Sequence, residues 1–274
     1  MWKLLLLAMP LVAQDYTSNF DKMLFEINRT RYDKALTQLF PLQSAIRENL
    51  DGKPMKFDPS LRSRMSQMAD TTAVLSTIAL LQSQMAAKQY EDAQSHAMLI
   101  GMGLSGLWSK LPAYQRLNFA KQDLEEAPAH QKPLELRKLG YAAADAGEWD
   151  VAKKAAAELI AIVDKKDFMG PDPGTLKHSA LTIRGLAELG LNDVSTAEKT
   201  LVESMKVRGE SAMRMIGPSF RLANELLAKG RRTAVDQFLV LVGESVWRDS
   251  SKAEQWRKEL AADKLPDLPR FSAN

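Results

Sequence analysis

The chain has 274 residues, 37 lysines and arginines against 34 aspartates and glutamates, a formal net charge of +3 and no cysteine. So even a charge balance excludes a dedicated nucleic-acid binder, and the missing thiols exclude a disulfide scaffold, thiol catalysis and cysteine-ligated zinc or iron–sulfur sites. With 45% hydrophobic and 26% charged residues, the composition is that of a globular protein of one or two domains with a substantial core.

Met1, Trp2 and Lys3 lead into an apolar run over residues 4–13 that only Pro10 interrupts, and Gln14 and Asp15 follow it. One positive charge, a short apolar core and the small Ala13 before the polar stretch form the pattern of a secretory signal cut after Ala13. The expected product is a periplasmic or secreted protein. The run is too short to cross a bilayer, and no later stretch reaches the roughly 18 uninterrupted apolar residues a membrane helix needs. No transmembrane segment is expected.

Beyond the leader, helical periodicity dominates, and no alternating run bounded by turn signals marks a strand hairpin. Leu61, Met65, Met68, Thr72, Leu75 and Ala79 advance in steps of three and four, thickened by Val74, Ile78, Leu81 and Met85; this predicts one long helix over residues 59–88. A second stripe, Leu176, Ala180, Ile183, Ala187 and Gly190, is answered by Val194, Ala197, Leu201 and Met205 across a tight turn at Gly190, Leu191 and Asn192. Helices joined so closely run antiparallel. Breakers at residues 51–54, 127–128, 170–174 and 217–218 mark junctions between helical pairs, and in 170–174 the two prolines are expected to keep the connector out of helix.

The most specific signal is internal repetition. Residues 136–155 read Leu-Arg-Lys-Leu-Gly-Tyr-Ala-Ala-Ala-Asp-Ala-Gly-Glu-Trp-Asp-Val-Ala-Lys-Lys-Ala. The pair Leu139-Gly140 with Gly147, Trp149 and Ala152 resembles a tetratricopeptide repeat. Read physically, Gly140 and Ala152 are small so that the two helices of the pair approach each other, Gly147 opens the turn and Trp149 seals it. Gly185 and Ala197 repeat the spacing of Gly140 and Ala152, with Asn192 read in place of the aromatic residue. Residues 31–35 and 88–93 repeat the aromatic, acidic, alanine turn, with Met23 and Leu81 where the glycine would stand; residues 226–230 with Val235 and Phe238 make a further copy, Val in place of Ala. The turns recur at uneven intervals above the regular period of about 34 residues. Extra helices are therefore expected, at residues 42–50 and 115–126.

Residues 174–268 also resemble the end of a group of uncharacterised bacterial helical-repeat proteins, through Gly217-Pro218, Leu222-Ala223-Asn224-Glu225-Leu226-Leu227, Gly230, Trp247, Trp256 and Pro266-Asp267. That resemblance implies no catalytic residues. The expected fold is all-α, a right-handed superhelical array of antiparallel helix hairpins of the tetratricopeptide kind with irregular repeats. Its expected organisation is a leader over 1–13, irregular hairpins with inserted helices over 14–132, and repeats with a C-terminal capping helix over 133–274.

Motifs that could carry chemistry are weak. Gly101-Met102-Gly103-Leu104-Ser105-Gly106 satisfies the dinucleotide glycine pattern with Asp123 downstream, but that chemistry needs a preceding strand. Here a helix launched at Tyr90 runs through Ala93, Ala97 and Ile100, and the glycines are expected to end it. Ser105 imitates a nucleophile elbow with Leu107 where the last glycine belongs. His96, His130 and His178 are too scattered for a metal motif, and His178 is expected to be a hydrogen-bonded, partly buried ring. The pairs Met65 and Met68, Met98 and Met102, and Met213 and Met215 could offer thioethers to Cu(I) but at helical spacing read as core. Lys229, Arg231 and Arg232 read as a solvated connection. Glu210-Ser211 and Glu244-Ser245 resemble the Glu-Ser pair of lytic transglycosylases, whose acid needs an apolar pocket; a cell-wall-active envelope enzyme with a buried Glu is the alternative reading.

The preferred reading is a non-enzymatic scaffold that binds a protein or peptide, with no catalytic residue, cofactor, metal or nucleic acid assigned. In stacked helix pairs the first helix of each pair lines the concave side. The polar positions expected to meet a partner are Arg137, Lys138, Tyr141 and Asp145, then Lys177, His178, Arg184 and Glu188. Their mixed signs point to a peptide held by hydrogen bonds and paired charges rather than to an anionic polymer.

Overall fold

The computed structural model describes residues 16–50, 70–165, 172–207, 214, 217–245 and 247–269. Among them the chain forms helices and no strand: α1 (Thr17–Asn28), α2 (Tyr32–Asn49), α3 (Thr71–Ala86), α4 (Tyr90–Lys110), α5 (Ala113–Glu126), α6 (Lys132–Asp145), α7 (Trp149–Val163), α8 (Pro173–Gly190), α9 (Val194–Met205), α10 (Arg221–Ala228), α11 (Arg232–Gly243) and α12 (Lys252–Ala261). No helix among the described residues is long and apolar enough to cross a membrane. The leader at 1–13, the breaker at 51–54 and the first part of the helix expected over 59–88 lie outside the described residues.

The helices fall into two units that part between Leu111 and Pro112. Pro112 disfavours helical geometry in the residue before it, and Leu111 is extended accordingly at φ −62° and ψ 142°, which ends α4. In the first unit α1 packs on α2 and α3, and α4 packs on α2 and α3. Met23, Leu39, Ile46, Ile78, Leu81, Leu99 and Ile100 fill its core. In the second unit α5 lies on α6, α6 on α7 and α8, α8 on α7, α9 and α10, and α11 on α9, α10 and α12. The expected boundary near residue 132 therefore falls earlier in the structure, because the inserted helix α5 packs on α6.

One turn closes five helix pairs. Thr30, Lys88, Gly147, Asn192 and Gly230 take left-handed φ values of 58°, 59°, 73°, 70° and 73°. The next residue's N–H then donates to the carbonyl five residues back, from Arg31 to Glu26, Gln89 to Gln84, Glu148 to Ala143, Asp193 to Glu188 and Arg231 to Leu226, at 2.8–2.9 Å. This is the Schellman closure, which satisfies carbonyls that a helix end leaves without partners. Each turn stands in the same phase, ahead of the fully buried Ala35, Ala93, Ala152, Ala197 and Val235. The sequence reading misplaces one member: Asn192 holds the position of Gly147, and Val194 that of Trp149. An asparagine fits there because its short polar side chain tolerates left-handed backbone.

The small residues act between neighbouring pairs. A Cβ on Gly140 would stand 2.8 Å from Ile183, and one on Gly185 would stand 2.2 Å from Leu222. Each glycine of a first helix thus receives an aliphatic side chain from the next pair's first helix. Ala152 and Ala197 are not the groups nearest them, contrary to the expectation from spacing. Trp149 likewise reaches beyond its own turn and lies on Gly190, where a Cβ would come within 2.3 Å of the ring.

Four local expectations change. The buried face of α3 is Val74, Ile78, Leu81 and Met85, whereas Thr72 and Ala79 are exposed; two overlapping apolar sets at helical spacing cannot be ranked without knowing the neighbours. Residues 101–106 lie inside α4, which runs on to Lys110 because Gly101 packs against Leu39 and Leu36, and Gly103 is buried. Residues 42–49 continue α2 through Pro41 instead of forming a helix of their own. Pro173 begins α8, where a helix tolerates proline, and Asp172 caps it by accepting from the Thr175 N–H at 3.0 Å.

Candidate functional site

On α6 the residues Arg137, Tyr141 and Asp145 follow at four-residue steps and share one face. Asp145 accepts from Arg116 of α5 at 3.0 Å and from Arg221 of α10. The Arg221 guanidinium lies 4.9 Å from the centroid of the Tyr141 ring, a cation–π contact that holds it over α6. One carboxylate is thus spent on two cations drawn from two other helices. Lys138 turns to α5, where its Nζ donates to the buried Asp123 at 2.5 Å. Arg137 has no ion pair or hydrogen bond among the described residues, and neither does the Tyr141 hydroxyl.

The α8 residues divide. Lys177 pairs with Asp164 at 2.6 Å. Arg184 donates to Glu203 at 2.6 Å, and its Nε stands 3.4 Å from Glu188. Glu188 is buried beneath this pair, and its Oε2 accepts from the Thr200 hydroxyl at 2.7 Å. Burial raises its carboxyl above the ordinary carboxylate range, and the Thr200 hydrogen bond and Arg184 act the other way. His178 lies in the interior with both ring nitrogens engaged, Nδ1 with the Ser204 carbonyl at 2.9 Å and Nε2 with the Ser219 N–H at 2.8 Å. Neither Glu188 nor His178 presents itself to a partner from outside, and Tyr141, expected to meet one, is buried to the same degree as Glu188, with its ring in the core of the second unit. One step along a helix decides this, since residues on the flank of an exposed face are already under the next helix.

The structure therefore gathers Tyr141 and Asp145 with Arg116 and Arg221, which the sequence reading had not included, and leaves Arg137 beside them. A signal for Arg221 existed: it stands two positions before Ala223, as Lys138 stands before Gly140, so carrying the repeat phase into the third pair reaches it.

The remaining motifs are absorbed by packing. Asp123 is held by Lys138 and Ser105 sits mid-helix on α4. His96 shares its Nδ1 with the Asp92 carbonyl at 3.0 Å, and His130 is exposed. Arg231 and Arg232 pair with Glu198 and Asp263. Glu244 is exposed at the end of α11, without the apolar surroundings a raised-pKa acid requires; Glu210 lies outside the described residues, as do Met65, Met68, Met213 and Met215. Met98 and Met102 pack against the first unit's core. Among the described residues no group of three or more His, Asp or Glu side chains could hold a metal ion. No protein-family model, curated protein or solved structure matches the chain.

Proposed function

We propose that this chain is a tetratricopeptide-like array of helix hairpins, wound as a right-handed superhelix, that serves as a non-enzymatic scaffold for a protein segment in the bacterial cell envelope. The repeated turn and the glycine contacts between successive first helices support the array. The α6 face supports the binding reading and refines the ligand. Asp145 is neutralised internally by Arg116 and Arg221, and Arg137 adds a positive charge that has no partner among the described residues, beside the buried Tyr141 ring, whose hydroxyl has none among them either. A segment bearing Asp or Glu side chains complements it, with Arg137 contributing a charge-assisted hydrogen bond.

The experiment is a peptide array probed with the full chain, followed by titration of the tightest peptides. Acidic sequences are expected to dominate. Arg137→Glu combined with Tyr141→Phe should weaken them by about 2 kcal/mol, the size of a hydrogen bond to a charged group. The same double change should leave the unfolding free energy within about 0.5 kcal/mol. Acidic peptides that bind the double variant as tightly as the unaltered chain would exclude this face. N-terminal sequencing of native material, expected to begin at Gln14, tests the leader independently.

A further inference from the structure

His178 joins three elements that come together at no other hydrogen-bonded side chain described above. Because Nε2 accepts from the Ser219 N–H at 2.8 Å, the ring proton is on Nδ1 and donates to the Ser204 carbonyl at 2.9 Å. Ser204 lies in the last turn of α9, whose carbonyls lack partners within the helix, and Ser219 leads into α10. The neutral ring therefore satisfies one group at the end of α9 and one at the entry to α10, both from within α8. A doubly protonated ring cannot do so, since it would set a second N–H against the N–H of Ser219.

We propose that His178 is an acid-sensitive pin, fastening the entry of α10 to α8 while neutral and releasing it when protonated. Among the described residues no carboxylate stands against the ring to offset the added charge. Lys177, next to it in α8, is paired with Asp164; Glu203, next to Ser204 in α9, is paired with Arg184; Arg221, two residues past Ser219, is paired with Asp145. The leading segment itself, Gly217, Pro218, Ser219 and Phe220, carries no charged side chain. Burial holds the ring below the usual histidine range, and the Ser204 carbonyl opposes this only in part. The unfolded or released state thus takes up the proton first. Fastening is complete above the ordinary histidine range and is lost as pH falls below it. Release also slackens the Arg221 contact with Asp145 and Tyr141, because α10 carries Arg221.

Hydrogen exchange of the full chain, corrected for the intrinsic pH dependence of amide exchange, tests the pin between neutral and mildly acidic pH. Protection of the Ser219 amide should fall about tenfold for each pH unit of acidification, the signature of one coupled proton. Amides of α6 and α7 should hold their protection over the same range. Nitrogen shifts of the ring should report the Nδ1–H tautomer at neutral pH. His178→Gln should remove the pH step at Ser219; if that variant does not fold, the unaltered chain decides by itself. Ring titration with unchanged Ser219 protection would overturn the proposal. So would loss of protection in all helices together, which would mean global unfolding, or a ring that stays neutral until the protein unfolds.

Discussion

Phe220→Ala is expected to lower the unfolding free energy by about 3–5 kcal/mol, the cost of deleting a fully buried aromatic side chain. Phe220 is 1% exposed and stands at the entry to α10, where it meets Phe238 edge-on at 5.7 Å and Trp256 edge-on at 5.3 Å. Trp247 lies tilted against it at 5.7 Å and stacks on Trp256 at 6.3 Å. These rings hold α11 and α12 to the entry of α10, so the cavity would open where these elements meet. Such edge-to-face pairs add to the simple burial of area. Urea unfolding followed by tryptophan fluorescence is the measurement, since two indoles touch the deleted ring. The C-terminal helices should lose structure at lower urea than the rest of the second unit. A cost under about 1 kcal/mol would mean that the aromatic cluster does not hold this end.

Gly185→Val is expected to cost about 3 kcal/mol, at the upper end of ordinary overpacking. Even a single added carbon would lie 2.2 Å from a terminal methyl of Leu222 and 3.3 Å from the Thr200 methyl, and Leu222 is fully buried. A double-mutant cycle separates this geometry from the alternative in which Gly185 faces Ala197 within its own pair. Leu222→Ala alone should cost about 2–5 kcal/mol through the cavity it leaves. Combined with Gly185→Ala, whose methyl enters that space, it should cost less than the two single changes together by about 0.5–3 kcal/mol, the range for side chains in contact. Additive costs would show that the glycine makes room for something else.

Both predictions turn on contacts between pairs, and there the sequence and the structure divide. Local physics made the helices and turns legible. A Schellman turn, a buried small residue and helical spacing are written within about twenty residues of one another, so the turns ahead of Ala35, Ala93, Ala152, Ala197 and Val235 were legible, although the left-handed residue itself was not identified at Thr30 and Asn192 was assigned the place of the aromatic residue. The inserted helix α5 followed from the uneven intervals. What each small residue faces was not legible, because Ile183 and Leu222 belong to the next pair and nothing in the spacing of Gly140 and Ala152 names a partner outside their own hairpin.

The site divides along the same line. Periodicity by itself placed Arg137, Tyr141 and Asp145 on one face of α6. That Asp145 is consumed by Arg116 and Arg221, that Tyr141 carries a guanidinium on its ring, and that His178 and Glu188 are interior were all decided by tertiary packing. The physical reason is range. Backbone hydrogen bonds and capping act over a few residues and leave a local trace in sequence, whereas the charge state and exposure of a side chain depend on groups the chain supplies from far away, Arg221 being 76 residues from the carboxylate it neutralises.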